Sequence, residues 1–146
     1  MTTSPTVARD TEQKESGTFE ATALRASLTV KSLQTSLEWY RDVVGFIVTE
    51  RHEREGVLRA LSLKAGSVEL VLGQDDGAKG ADRVKGQGIS LNLTTLQGID
   101  ETAARIKARG GVLASEPADT PWGARVFRLL DPDGFILVIS SERKRK

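Results

Sequence analysis

An α+β fold made of two tandem βαβββ modules is predicted by three observations on the chain. The first is an internal repeat: residues 28–50, LTVKSLQTSLEWYRDVVGFIVTE, return imperfectly as residues 91–116, LNLTTLQGIDETAARIKARGGVLASE. Leu28/Leu91, Leu33/Leu96 and Gln34/Gln97 keep a constant offset of about 63 residues, and self-similarity at a fixed period marks duplicated structural units. The second is that helical periodicity follows only the first strand of each unit, while the remaining apolar runs are short and alternating. That arrangement points to a mixed curved sheet with helices on its outer face and a concave cleft on the other. The third is size: 146 residues suit one domain that can bury a core without staples.

The first strand is expected over residues 24–30, where Leu24, Ala26, Leu28 and Val30 alternate with Arg25, Ser27 and Thr29. Ser32 suits an N-cap, and Leu33, Leu37, Tyr40 and Val44 form one helical face that Gly45 terminates. Strands over 46–52, 57–64 and 67–72 follow, turned at Glu55-Gly56 and Ala65-Gly66. Residues 74–87, QDDGAKGADRVKGQ, are glycine-rich, charged and almost without apolar side chains, so they read as a flexible connector. The second unit starts with a strand over 88–93 and a helix over 96–109, facing inward with Leu96, Ile99, Ala103 and Ile106 and stopped by Gly110-Gly111. Strands over 112–115, 124–130 and 135–140 complete it, the last two joined by the turn Asp131-Pro132-Asp133-Gly134.

The organisation is then a polar leader over residues 1–20, a single domain over 21–141 and a basic tail over 142–146. Within the domain, module one covers 22–73, the connector 74–87 and module two 88–141. The leader lacks the basic start and apolar core of a signal peptide, and its mixed charge predicts disorder. No apolar run approaches the roughly 18–20 residues that span a bilayer. A net charge of +1 and the lack of a basic stripe argue against a polyanion partner; the short run Arg143-Lys144-Arg145-Lys146 reads as a solvated tail. With no cysteine, disulfides, thiolate catalysis and thiolate metal sites are excluded. A cytoplasmic protein is expected.

The stretches LTVKSLQTSLEWYRDVVGF and PWGARVFRLLDPDGFILVI resemble the first-module signature and the closing hairpin of the vicinal oxygen chelate superfamily. That superfamily includes glyoxalase I, bleomycin resistance proteins and type I extradiol dioxygenases. The resemblance covers about residues 22–141 and implies the fold more firmly than the activity, because one scaffold hosts unrelated functions. It also implies four metal-ligand positions in the metal-dependent members. Carried over, these fall on Arg25, Glu69, Gly88 and Val138 (Leu137 if the last strand slips by one). Only Glu69 has a lone pair to offer, and an arginine is a permanent cation that repels a metal. The chain holds one histidine, His52, in the charged run Glu50-Arg51-His52-Glu53-Arg54, where it reads as an exposed turn residue. No metal and no cofactor are therefore expected.

What remains is a small-molecule cleft. Arg25, Ser27 and Thr29 are expected on the concave side of the first strand, and Ser90 and Asn92 in module two by the repeat. Glu69, among apolar neighbours, is expected to be buried against Arg25. It then serves as a structural ion pair, a ligand contact or, if the protein is an enzyme, a general base; no other catalytic residue suggests itself. Trp122 either caps an aromatic ligand at the cavity mouth or anchors its loop to the core. Arg59, Arg125 and Arg128 lie in strands whose facing is ambiguous in sequence, and Arg125 is the one expected at the ligand. The binding set is thus Arg25, Ser27, Glu69, Ser90, Asn92, Trp122 and Arg125. The leading expectation is a metal-free protein of the bleomycin-resistance type that sequesters a drug or metabolite in the cleft between the modules. The alternative is a metal-independent lyase or isomerase using Glu69, and less favoured still is a divalent-metal glyoxalase or dioxygenase. A homodimer is expected, with Trp39, off the main helical stripe, at the subunit contact.

Overall fold

In the computed structural model, residues 17–80 and 82–143 are described; most of the leader and the end of the basic tail lie outside them. Module one runs β1 (Arg25–Val30), α1 (Leu33–Glu38) with a π-helical continuation (Trp39–Val44), β2 (Ile47–Arg54), β3 (Val57–Ala65) and β4 (Val68–Gln74). Module two repeats the order as β5 (Ser90–Thr94), α2 (Ile99–Ala108), β6 (Leu113–Asp119), β7 (Arg125–Leu130) and β8 (Ile136–Ser140). The curved sheet is realised as two four-stranded sheets, ordered β1-β4-β3-β2 and β5-β8-β7-β6. Each is mixed, its first and last strands parallel and the rest antiparallel.

Local chemistry sets the elements. Ser32 accepts the Thr35 N–H at 3.3 Å and caps α1. The helix ends at Gly45, whose φ of 111° needs a residue without Cβ. Alternation sends Leu28, Val30, Leu61, Leu63, Leu70 and Leu72 to the helix side of the first sheet, and Phe127, Leu129, Leu137 and Ile139 to that of the second. All are buried in one continuous core with Leu33, Leu37, Tyr40, Ile99, Ala103 and Ile106 of the helices. Each such side chain contributes about 1.5–3 kcal/mol by leaving water. The modules therefore join through their helix-covered faces.

Several boundaries differ from expectation for identifiable reasons. Leu24 is fully exposed, because the β1–β4 ladder begins at Arg25 opposite Glu69 and offers Leu24 nothing to pack on. Leu96 is exposed as well: Gly98, extended at φ −60° and ψ 131°, starts α2 late and leaves Leu96 in the preceding bend. Gly88 and Ile89 precede β5. β6 runs on to Asp119 through Pro117, which is tolerated on an edge strand beside the register shift between Ser115 and Ala118. Trp39 is partly buried, its ring edge-on to Tyr40 at 4.8 Å, so it does not provide the exposed indole expected at a subunit contact.

The connector is tied down at its ends. The Lys85 ammonium pairs with Asp75, both side chains nearly inaccessible, and Arg83 approaches the same carboxylate at 3.5 Å. The Lys85 hydrogen bond, helped by the Gly77 N–H, holds the Asp75 carboxyl down at about 2. Gly86 approaches the Gly134 carbonyl so closely that an added Cβ would lie 2.5 Å from it, which only glycine avoids.

One buried polar bond links the modules. The Tyr40 hydroxyl donates to Asp131 Oδ2 at 2.8 Å, while Asp131 Oδ1 accepts the N–H groups of Asp133 and Phe135, both at 2.8 Å. A second link runs from the Lys31 N–H to Asp133 Oδ2 at 2.6 Å. Burial raises the Asp131 carboxyl against the opposing effect of these donors. Burial, then the Asp131 charge, raises the Tyr40 phenol far above its ordinary range. An unfolded tyrosine ionises near 10, so the stability that depends on keeping this buried phenol neutral is fully present below about pH 10 and is lost as pH rises above it. Tyr40 is the only tyrosine. Absorbance at 295 nm during an alkaline titration should therefore show no tyrosinate until the circular dichroism of the fold collapses. Tyr40→Phe should lower the urea-unfolding free energy by about 1–3 kcal/mol, because Asp131 keeps its burial and loses a donor.

Candidate functional site

Both sheets leave one face free of helices. Residues directly opposite across a ladder share a face. On the first sheet this places Lys64, Glu69 and Arg25 in one row, Glu50, Ser62, Val71 and Ser27 in the next, and His52, Ala60, Gly73 and Thr29 in the third. Val71 and Gly73 form a low floor between polar walls. Arg25 Nη1 lies 3.7 Å from Glu69 Oε2, with side chains 58% and 56% exposed. The expected pairing is present and the expected burial is not, because nothing among the described residues covers this face. An ion pair this exposed contributes about 0–1 kcal/mol.

His52 lies in β2 rather than in a turn. Its Nε2 is 3.1 Å from Ser62 Oγ, and Ser62 is buried. The surrounding charges hid the strand, and the register shift around Thr49 reset the alternation that would have revealed its facing. Ser62 was likewise not legible as a site residue. For a metal, the donor set on this face does not fit. Glu69 already faces a guanidinium, and the lone imidazole stands two strands away on β2 against a serine. Among the described residues no group of three or more metal-binding side chains converges.

On the second sheet the rows are Ser90, Ile136 and Leu130; then Asn92, Val138, Arg128 and Ser115; then Thr94, Ser140, Val126 and Ala118. Asn92 Nδ2 donates to Ser90 Oγ at 3.3 Å. The polar side chains Ser90, Asn92 and Thr94 lie along β5, while an apolar strip crosses β7 and β8: Val126 and Val138 are buried in a small cluster with Ala124 and Ile136, separate from the main core. Trp122 sits in the turn before β7, half-exposed and outside both clusters.

Arg125 alternates with Val126 and so projects to the opposite side of β7 from Arg128. Its Nε and Nη2 donate to Asp100 Oδ1 at 3.1 and 3.0 Å, and its Nη1 to Asp119 Oδ1 at 3.1 Å. These hydrogen bonds, Asp100 first, raise its already high pKa. Asp100 also complements the N-terminus of α2. Arg125 lines an open cavity of about 590 Å³ with Gly98, Asp100, Thr120 and Ser141, formed wholly within module two. The structure thus gathers Arg25, Ser27 and Glu69 on one open face and Ser90 and Asn92 on the other, with Arg125 and Trp122 apart from both sets.

Residues 22–139 match the family model described as the Glyoxalase/Bleomycin resistance protein/Dioxygenase superfamily. Among solved structures, the chain is similar to TioX from Micromonospora sp. ML1, at 19% identity and a TM-score of 0.68 over 83% of this chain and 98% of that one. A superfamily member from Sphaerobacter thermophilus DSM 20745 matches at 23% identity and a TM-score of 0.69, covering 84% and 98%. A glyoxalase-related enzyme from Fulvimarina pelagi matches at 17% identity and a TM-score of 0.66, covering 83% and 88%. At these identities the likeness shows the fold. No curated protein matches the chain.

Because the Arg25–Glu69 pair stands in solvent, Glu69→Gln should change the urea-unfolding free energy by less than about 1 kcal/mol. A loss of several kcal/mol in equilibrium unfolding would show that the pair is buried in solution.

Proposed function

The chain belongs to the glyoxalase/bleomycin resistance protein/dioxygenase superfamily, and within it we propose a metal-free small-molecule binding protein that sequesters a drug or metabolite. The observation that carries this reading is the Arg25–Glu69 pair on an otherwise open polar face. A guanidinium there supplies charge and hydrogen-bond donors to a ligand oxygen, where a metal would supply a Lewis acid. Ser27, Ser62 and His52 add exchangeable donors and acceptors on the same face. Binding of this kind needs no covalent step.

The second reading, a metal-independent lyase or isomerase, is favoured by one feature: Glu69 lies uncovered beside Arg25, so a base and an oxyanion partner are adjacent. In that case Glu69→Gln should cut turnover by about 10²–10⁴-fold while substrate still binds; a binding protein should instead change its ligand preference toward anions. A thermal-shift screen against peptide antibiotics, aromatic metabolites and divalent metals tests the main reading, since a native-state ligand raises the melting point by linkage. Stabilisation by organic ligands alone is expected; stabilisation by divalent metal alone would overturn it.

The protein is further proposed to act in the cytoplasm as a homodimer, with no nucleic-acid or membrane partner. Among the described residues no helix is long and apolar enough to cross a membrane. β1 and β5 each end a sheet, and an open edge beside an uncovered face favours association. Light scattering should give twice the chain mass of 15.8 kDa at micromolar concentration; the monomer mass throughout would count against pairing. Elemental analysis of protein prepared without a metal-affinity tag should find nickel, zinc, iron and manganese well below one per chain, and a stoichiometric metal would sink the metal-free assignment.

A further inference from the structure

The three strand arginines whose facing is ambiguous in sequence have separate fates in the fold. Arg125 is committed to Asp100 and Asp119. Arg59 lies on β3 at the register shift opposite His52 and Glu53, and so belongs to the first sheet. Arg128 alone reaches the open face of the second sheet, opposite Val138 and Ser115. It is exposed, and among the described residues it has neither a hydrogen-bond nor an ion-pair partner.

We infer that this face binds an amphipathic monoanion, its anionic group held by Arg128 and its apolar part laid over Ile136, Val138 and Leu130. This rests on the binding-protein reading and assigns a ligand class to the second open face, distinct from the Arg25–Glu69 face. Three observations carry it. None of the three cross-strand rows on this face contains a carboxylate, so the guanidinium charge is uncompensated. A guanidinium presents its donors as a planar fork that matches carboxylate or sulfonate oxygens. Ser115 lies across from it on β6, but its other adjoining positions on this face are apolar, Val126 and Val138 at the floor and Leu130 still 52% exposed, a surface that a ring or chain covers favourably. One charge beside an apolar strip selects a ligand of one charge with a substantial apolar surface. The first sheet differs, because there Glu69 and Glu50 balance Arg25 and Lys64.

The test uses the full-length protein and two fluorescent probes of similar shape, the anion 1-anilinonaphthalene-8-sulfonate and the neutral N-phenyl-1-naphthylamine. Both should bind the native protein saturably. Arg128→Gln should weaken the anion by about tenfold or more, with the neutral probe and the melting temperature little changed. 2-Naphthoate should compete with the anionic probe better than 2-naphthamide does. Arg59→Gln, on the first sheet, should change neither affinity. Equal anion affinity in wild type and Arg128→Gln, with both probes bound, overturns the inference and leaves the binding-protein reading standing. If neither probe binds wild type, the inference fails and the binding-protein reading loses support. If Arg128→Gln instead converts a dimer to monomer with anion affinity unaltered, the face belongs to a second copy of the chain and the inference is likewise overturned.

Discussion

The fold depends on the packing of the two helix-covered faces against each other, and Tyr40 sits at the centre of that contact. Its ring lies edge-on to Trp39 and Phe46, and its hydroxyl crosses to Asp131 of the other module. A phenol without a partner in such a site would cost about 1–3 kcal/mol and offset much of what its ring contributes. The closing turn of module two is thereby held in one place: Asp131 takes the phenol on one oxygen and two turn N–H groups on the other. Because this contact uses the helix side of both modules, the opposite sheet faces are left to solvent or a ligand. The location of the candidate site thus follows from what the core consumes.

Much of this was legible in the sequence. The repeat showed the two modules, and alternation at Leu28 and Val30 against Ser27 and Thr29 showed which side of β1 is buried. The illegible parts share a cause: their facing is decided by something other than local pattern. Leu24 and Leu96 look like core residues, and each lies just outside the ladder or helix that would cover it. His52 is masked by neighbouring charges and by the register shift at Thr49. The three strand arginines sit in runs where both alternating sets contain apolar residues, so only the observed ladders separate Arg128 from Arg59 and Arg125. The Tyr40–Asp131 bond joins residues 91 positions apart and leaves no local signal.

The Arg25–Glu69 pair shows how burial changes the meaning of one contact. Placed among apolar residues, Glu69 reads in sequence as a buried carboxylate with a costly charge. In the fold it alternates outward while Leu70 and Leu72 take the core, and its partner across the parallel ladder is Arg25. Half in solvent, the pair adds little to stability, so it is free to exchange its hydrogen bonds for those of a ligand at small cost. A buried version would resist that exchange.

The two open faces differ in charge balance, and this difference constrains what the proposed function can bind. On the first sheet, acids and bases alternate across the strands, so a ligand there must be polar, competing for hydrogen bonds already partly made. On the second, the apolar floor is interrupted by a single guanidinium with no carboxylate in its rows. A cation is repelled from that face, and a strongly hydrated dianion would lose more solvation than one guanidinium restores. A neutral apolar ligand gains contact and forgoes the charge. An anion with an apolar body satisfies both features, and so the inferred ligand class follows from Arg128 having no partner among the described residues.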